Sequence, residues 1–332
     1  MRDLTRCGMA MVFMLPVAQL PAARTEQPER DIAFPGFNRT LLKGTVRPAQ
    51  GHPFFAVMVA GSGPTDRDWS NPLLPKSSHG GRDFAAWLQG QGIGSLRYDK
   101  RFLGVRDAKL DISLDAQAGD VEAALRAARA LPEARGRKLL LVGHSEGAIL
   151  ALLNANQADA VLLLAMPGQS LSSQVLDQVG NQFSAAGASE AVARPNMDHL
   201  AAVMEAIRKG GELPRAGAGV LPNVAALGSQ LGSPGTLGFF KAIMDLDPWK
   251  LTSRVVGPLA AAWGDRDVQC WKPVIPKSFH GTVIDLPGAN HLLKKEIRAR
   301  PELNPALALT AYGDDTPLAD LGPLSTWLRN LK

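Results

Sequence analysis

Short apolar runs alternate with longer amphipathic stretches along much of this chain, regularly so from about residue 39 to residue 159. Residues 40–47 read as an early strand and 54–60 (FFAVMVA) as a buried one; a helix follows over 82–89 and a strand over 93–98. An alanine-rich helix is expected over 114–131, a strand over 138–142, a helix over 148–155 and a strand over 160–165 (AVLLLA). A short run that is apolar at every position has no polar face to turn to water, so such strands must be covered on both sides. Separated by helices, they predict an α/β fold with a mostly parallel central sheet and helices on both faces.

The pattern changes after residue 165. Residues 168–247 carry amphipathic helical stretches, notably 171–183 and 197–209, divided by Gly/Pro-rich turns. Leu200, Val203, Met204 and Ile207 recur at helical spacing and need something to bury against. Strand signals return at 258–263 and 281–286. A helical insertion of about 80 residues therefore interrupts the sheet after its sixth strand. Emerging at the C-terminal edge of a strand, where α/β sheets bind ligands, it is expected to form a lid. The core is then divided between 30–167 and 248–332.

Length does not force two domains on the 332 residues, since single α/β domains with insertions reach this size. Hydrophobic residues at 45% and charged residues at 20% supply an ordinary globular core and surface. The net charge of +5 is spread among acids, and the denser basic stretches at 100–109 and 294–300 each contain one. That charge serves solubility, and nucleic acid is not an expected partner.

The first residues change the picture of where the protein works. Arg2 and Arg6 precede an apolar run over 7–15, Pro16 breaks it, and Ala22 and Ala23 follow. This is the pattern of an export signal over 1–23, with Pro21 an imperfect residue three places before the cut. A periplasmic or secreted location is expected, with a cytoplasmic one as the alternative. Loss of the signal would remove Cys7 and leave Cys270 as the sole cysteine, a structural thiol in a loop, so no intramolecular disulfide is expected. No later stretch has the length and apolarity of a bilayer span, so stable membrane insertion is not expected. No His/Cys cluster has metal-ligand spacing, and neither a metal nor a cofactor is implied. Oligomeric state has no sequence signal.

The chemistry concentrates at Gly143-His144-Ser145-Glu146-Gly147. A G-x-S-x-G pattern alone is weak, but this one directly follows the strand LLLV and opens the helix AILALLNA. A strand–turn–helix setting is what a nucleophile elbow requires: Ser145 must take a strained backbone conformation, and side chains at 143 and 147 would collide. A serine hydroxyl needs a base. His144 lies inside the elbow and should point away from Ser145. His52 and His79 lie in early loops, His199 is on an insertion helix, and His280 directly precedes a strand. His291, after the last strand and a short loop, can overhang the sheet edge and is the expected base. The orienting acid is Asp267 or Asp265 in Gly264-Asp265-Arg266-Asp267-Val268; Asp267 is preferred because Asp265 is closer to the strand end and better placed to cap the turn or pair with Arg266. Oxyanion-stabilising N–H groups are expected from Glu146 and from Ser62, in the Gly61-Ser62-Gly63 loop after FFAVMVA.

These segments resemble those of lidded serine esterases of the α/β-hydrolase superfamily, nearest a bacterial group described as dienelactone-hydrolase-like or esterase-D-like. The resemblance rests on GSGPTDRD (61–68), RYDKR (97–101), GHSEG (143–147), DPWK (247–250), WGDRDVQ (263–269) and GANHLLK (288–294), in that order. It implies Ser145, Asp267 and His291 as a catalytic triad and small esters with short acyl chains as substrates. The group usually continues YDKR with a glycine-rich turn, whereas Phe102 and Leu103 intervene here before Gly104. Thr65 to Asp68 and Asp99 to Arg101 are expected to form a buried or semi-buried polar network behind the oxyanion loop, as scaffold rather than catalytic residues. An amidase, peptidase or acyltransferase on the same triad is the alternative, and a non-catalytic binding protein on the same fold a remoter one.

Overall fold

The structure is a computed structural model that describes residues 28–72, 77–104, 110–268, 272–298 and 316–332. The expected export signal and Cys270 lie outside the described residues. Eight strands form one sheet: β1 (Arg30–Pro35), β2 (Leu41–Arg47), β3 (Phe54–Val59), β4 (Gly94–Tyr98), β5 (Lys138–His144), β6 (Ala160–Leu164), β7 (Leu259–Gly264) and β8 (Thr282–Leu286). Their order is β1-β2-β4-β3-β5-β6-β7-β8. The first two strands run antiparallel to their neighbours, and all pairings from β4 to β8 are parallel. β1 has no counterpart in the sequence pattern; with it, β6 is the sixth strand.

Period-two alternation divides the central strands between two cores. Val57, Val59, Leu139, Leu141, Val161, Leu163 and Trp263 face α2 (Leu114–Ala130) and α3 (Glu146–Leu153). Ala56, Met58, Leu140, Val142, Leu162, Leu164 and Ala262 face α1 (Gly80–Gly90) and the final helix, Gly322–Arg329. Full burial of each such Leu or Val contributes about 1.5–3 kcal/mol relative to exposure. The sheet is therefore a rigid floor, and β3, β5, β6 and β7 all end on the same edge.

Between β6 and β7 lie α4 (Leu171–Ala185), α5 (Glu190–Lys209), α6 (Pro222–Leu231), α7 (Leu237–Ile243) and α8 (Pro248–Thr252). The α5 stripe buries against its sister helices. Val203, Met204 and Ile207 pack with Phe240 and Met244, and Leu200 packs with Val179 and Val224. Ile243 instead joins the core between the sheet and α2 and α3, as does Leu251 of α8. The helical segment thus has small cores of its own and is riveted to the main one through α7 and α8.

Candidate active site

The turn between β5 and α3 holds Ser145 at φ 54°, ψ −126°. A side-chain-bearing residue in this region stores about 1–3 kcal/mol of strain and persists only where its surroundings enforce it. They do. A Cβ at Gly143 would meet the Gly147 carbonyl oxygen at 2.5 Å, and one at Gly147 would meet the Val59 and Ala60 carbonyl oxygens at 2.5 Å. The Ser145 amide donates to the Leu164 carbonyl (2.9 Å), fixing the elbow to β6. Ser145 is half-buried, with Gly61 of the β3 loop against it; a Cβ there would lie 3.2 Å from the Ser145 Cβ.

Beyond β7 the two aspartates separate in role. Asp265 accepts from the Gly288 amide at 2.7 Å, its side chain half exposed, and Arg266 Nε lies 3.7 Å from it. Asp267 is fully buried, and its Oδ2 lies 2.8 Å from His291 Nδ1. The loop carrying His291 is shaped by Asn290, whose Oδ1 accepts from the Leu292 and Lys294 amides (3.0 Å each). It crosses the end of β7 so closely that a Cβ at Gly264 would lie 2.1 Å from the Ala289 carbonyl oxygen.

His144 joins elbow to histidine loop, a role that sequence reasoning did not assign. Its ring stacks on Trp69 at 4.5 Å and sits 4.9 Å from the His291 ring. Its Nε2 lies 2.7 Å from the His291 carbonyl oxygen, which can only accept, so Nε2 carries the hydrogen. Burial, and then the neighbouring His291, push its pKa down to about 3, and the ring is neutral. The sequence places His144 in the turn but gives no sign of Trp69. Of the other described histidines, His52 and His280 meet the carbonyl oxygens of Leu328 and Val255, His199 is buried on α5, and His79 caps the start of α1 with its amide donating to Ser70 Oγ (3.3 Å).

The two expected oxyanion amides belong to the elbow itself and to the loop whose Gly61 lies against Ser145. Glu146 is the first residue of α3, where a backbone N–H has no intrahelical acceptor. Ser62 follows Gly61 in a loop closed by Thr65, whose hydroxyl donates to the Ser62 carbonyl (2.6 Å) and whose amide donates to that of Gly63 (2.8 Å). Behind this loop lies the expected polar scaffold. Arg67 is held by Asp99 (2.7 Å) and Arg97 by Asp68 (2.8 Å) and Glu29 (2.7 Å). Arg101 is paired with Asp120 (2.6 Å), both side chains buried. Among the described residues no helix is long and apolar enough to cross a membrane, and no group of three His, Cys, Asp or Glu side chains could hold a metal.

A mostly parallel eight-stranded sheet with antiparallel β1 and β2, a strained serine between β5 and α3, and a helical insertion after β6 is the α/β-hydrolase fold. Solved structures with similar folds differ greatly in sequence. DcsB, determined in complex with its substrate analogue, is 15% identical over 91% of this chain and 98% of its own, at a TM-score of 0.50. The α/β hydrolase GrgF from Penicillium sp. sh18 is 19% identical over 80% and 92%, at 0.48. A dienelactone hydrolase from Anabaena variabilis is 16% identical over 92% and 98%, at 0.47. No protein-family model and no curated protein sequence matches the chain.

Proposed function

We propose that the protein is a serine hydrolase that cleaves small carboxylic esters with short acyl chains, using Ser145, His291 and Asp267. The observation that carries this reading is the pairing of an enforced, strained Ser145 backbone with a buried His291–Asp267 couple at 2.8 Å on the same sheet edge. His291 Nε2 takes the Ser145 proton as Oγ attacks the ester carbonyl, and Asp267 stabilises the imidazolium through Nδ1–H. The Ser62 and Glu146 amides receive the negative charge that develops on the carbonyl oxygen. The alcohol leaves with the proton from His291, and water repeats the sequence on the acyl-enzyme to release acid and free Ser145.

In this proposal the helical segment 168–247 is the lid and much of the acyl-pocket wall. Between α4 and α6 it carries a cleft of about 470 Å³ lined by Val175, Val179, Phe183, Val224 and Leu227, whose lining includes no residue of the sheet edge around Ser145. Export by way of residues 1–23 is part of the same reading, and cell fractionation tests it. The substrate class is tested with a panel of p-nitrophenyl esters beside peptide p-nitroanilides. Acetate and butyrate esters should turn over far faster than any anilide; preferential anilide cleavage would replace the esterase reading with a peptidase one.

A further inference from the structure

Lys100, two residues after the end of β4, is buried to 6% exposure. Its Nζ donates to Glu146 Oε1 at 2.7 Å and lies 3.4 Å from Gln117 Oε1 and 5.8 Å from the Phe102 ring centroid. Its backbone amide donates to the Thr65 carbonyl at 3.3 Å. Thr65 is the residue whose hydroxyl closes the loop on the Ser62 carbonyl. One residue therefore touches both arms of the oxyanion hole, the Ser62 loop through its main chain and Glu146 through its ammonium group.

The charges matter as much as the spacing. The Glu146 carboxylate is itself nearly buried, one residue from Ser145, where it would oppose the negative charge forming on a substrate oxygen. A buried ion pair contributes little to stability on average, and breaking it leaves one charge uncompensated. We propose that Lys100 is the positioning residue of the oxyanion hole: it sets the separation of the Ser62 and Glu146 amides and neutralises Glu146 beside the reacting carbonyl. This inference rests on the triad reading above.

The test compares Lys100→Met, Glu146→Gln and the double variant on p-nitrophenyl acetate, with Ser145→Ala as control and circular dichroism to establish folding. Lys100→Met leaves a bare carboxylate and should lower kcat about 100-fold with KM within about threefold. Glu146→Gln leaves a cation that favours the oxyanion and should cost about tenfold or less. The double variant has neither charge and should recover about tenfold over Lys100→Met, a coupling that a merely structural pair would not show in kcat. Should Lys100→Met fail to fold, the neutral double variant carries the test, with an expected loss of about tenfold in kcat at constant KM. Wild-type kcat in Lys100→Met or in the double variant, with Ser145→Ala inactive, overturns this inference alone. Activity retained by Ser145→Ala overturns the triad reading and this inference with it.

Discussion

Asp265 and Asp267 stand two residues apart on one turn, yet only Asp267 is buried against His291. Asp265 holds the Gly288 amide at the surface. Asp267→Asn should lower kcat by about 10³–10⁴-fold, because an amide that donates to Nδ1 selects the wrong tautomer of His291. Asp265→Asn should cost no more than about tenfold, and kinetics of the two side by side decide it; the reverse ranking would transfer the role to Asp265. His144 yields a prediction about stability. Folded, it stays neutral down to about pH 3, whereas the unfolded chain protonates it near its ordinary value of 6.5. Its contribution is therefore full above about pH 6.5 and drains away as pH falls toward about 3, where only the unfolded state gains the proton. His144→Gln should be less stable than wild type at pH 8 but show a shallower fall in denaturation midpoint between pH 6.5 and 4. Equal slopes in the two proteins would contradict the buried neutral ring.

At the scale of elements, the strands that must be apolar on both faces were legible, as were the partly exposed β2 and β8, whereas β1 was not. β3, β5 and β6 announce themselves as FFAVMVA, LLLV and AVLLLA. β1 reads RDIAFP, an edge strand mostly exposed and paired on one side only, so burial imposes no pattern on it. α1 begins at Gly80-Gly81, which look like a break but are needed because a Cβ at Gly81 would lie 2.7 Å from Trp69. Pro195 likewise hid the first turns of α5. The helix runs through it, and Asn196, fully buried, donates to the Val192 carbonyl and accepts from the Leu221 amide, joining α5 to α6. These tertiary contacts override local propensity and cannot be read from spacing. If the helical segment walls the acyl pocket, Phe183→Ala should raise kcat/KM for an octanoate ester relative to acetate by about tenfold, with acetate kcat changed less than about threefold. A ratio of acyl preferences unchanged from wild type would separate the cavity among these helices from the substrate.

Across the whole molecule, the sheet edge gathers residues that lie far apart in the chain: Gly61 and Ser62 after β3, Lys100 after β4, Ser145 after β5, Asp267 after β7 and His291 after β8. That order along the chain is why the proposed triad could be named before any geometry, as each member follows a strand whose pattern is strong. Lys100 and His144 were not legible as working residues, because their partners are a carboxylate and a carbonyl far away in sequence. The proposed function requires Ser145 to be an activated nucleophile. Its most direct test is labelling with a fluorophosphonate probe followed by peptide mass spectrometry, on wild type and Ser145→Ala. One stoichiometric adduct is expected on the peptide containing Ser145 and none in the variant, which should remain folded. Labelling at another residue, or an unlabelled and folded wild-type protein, would contradict it.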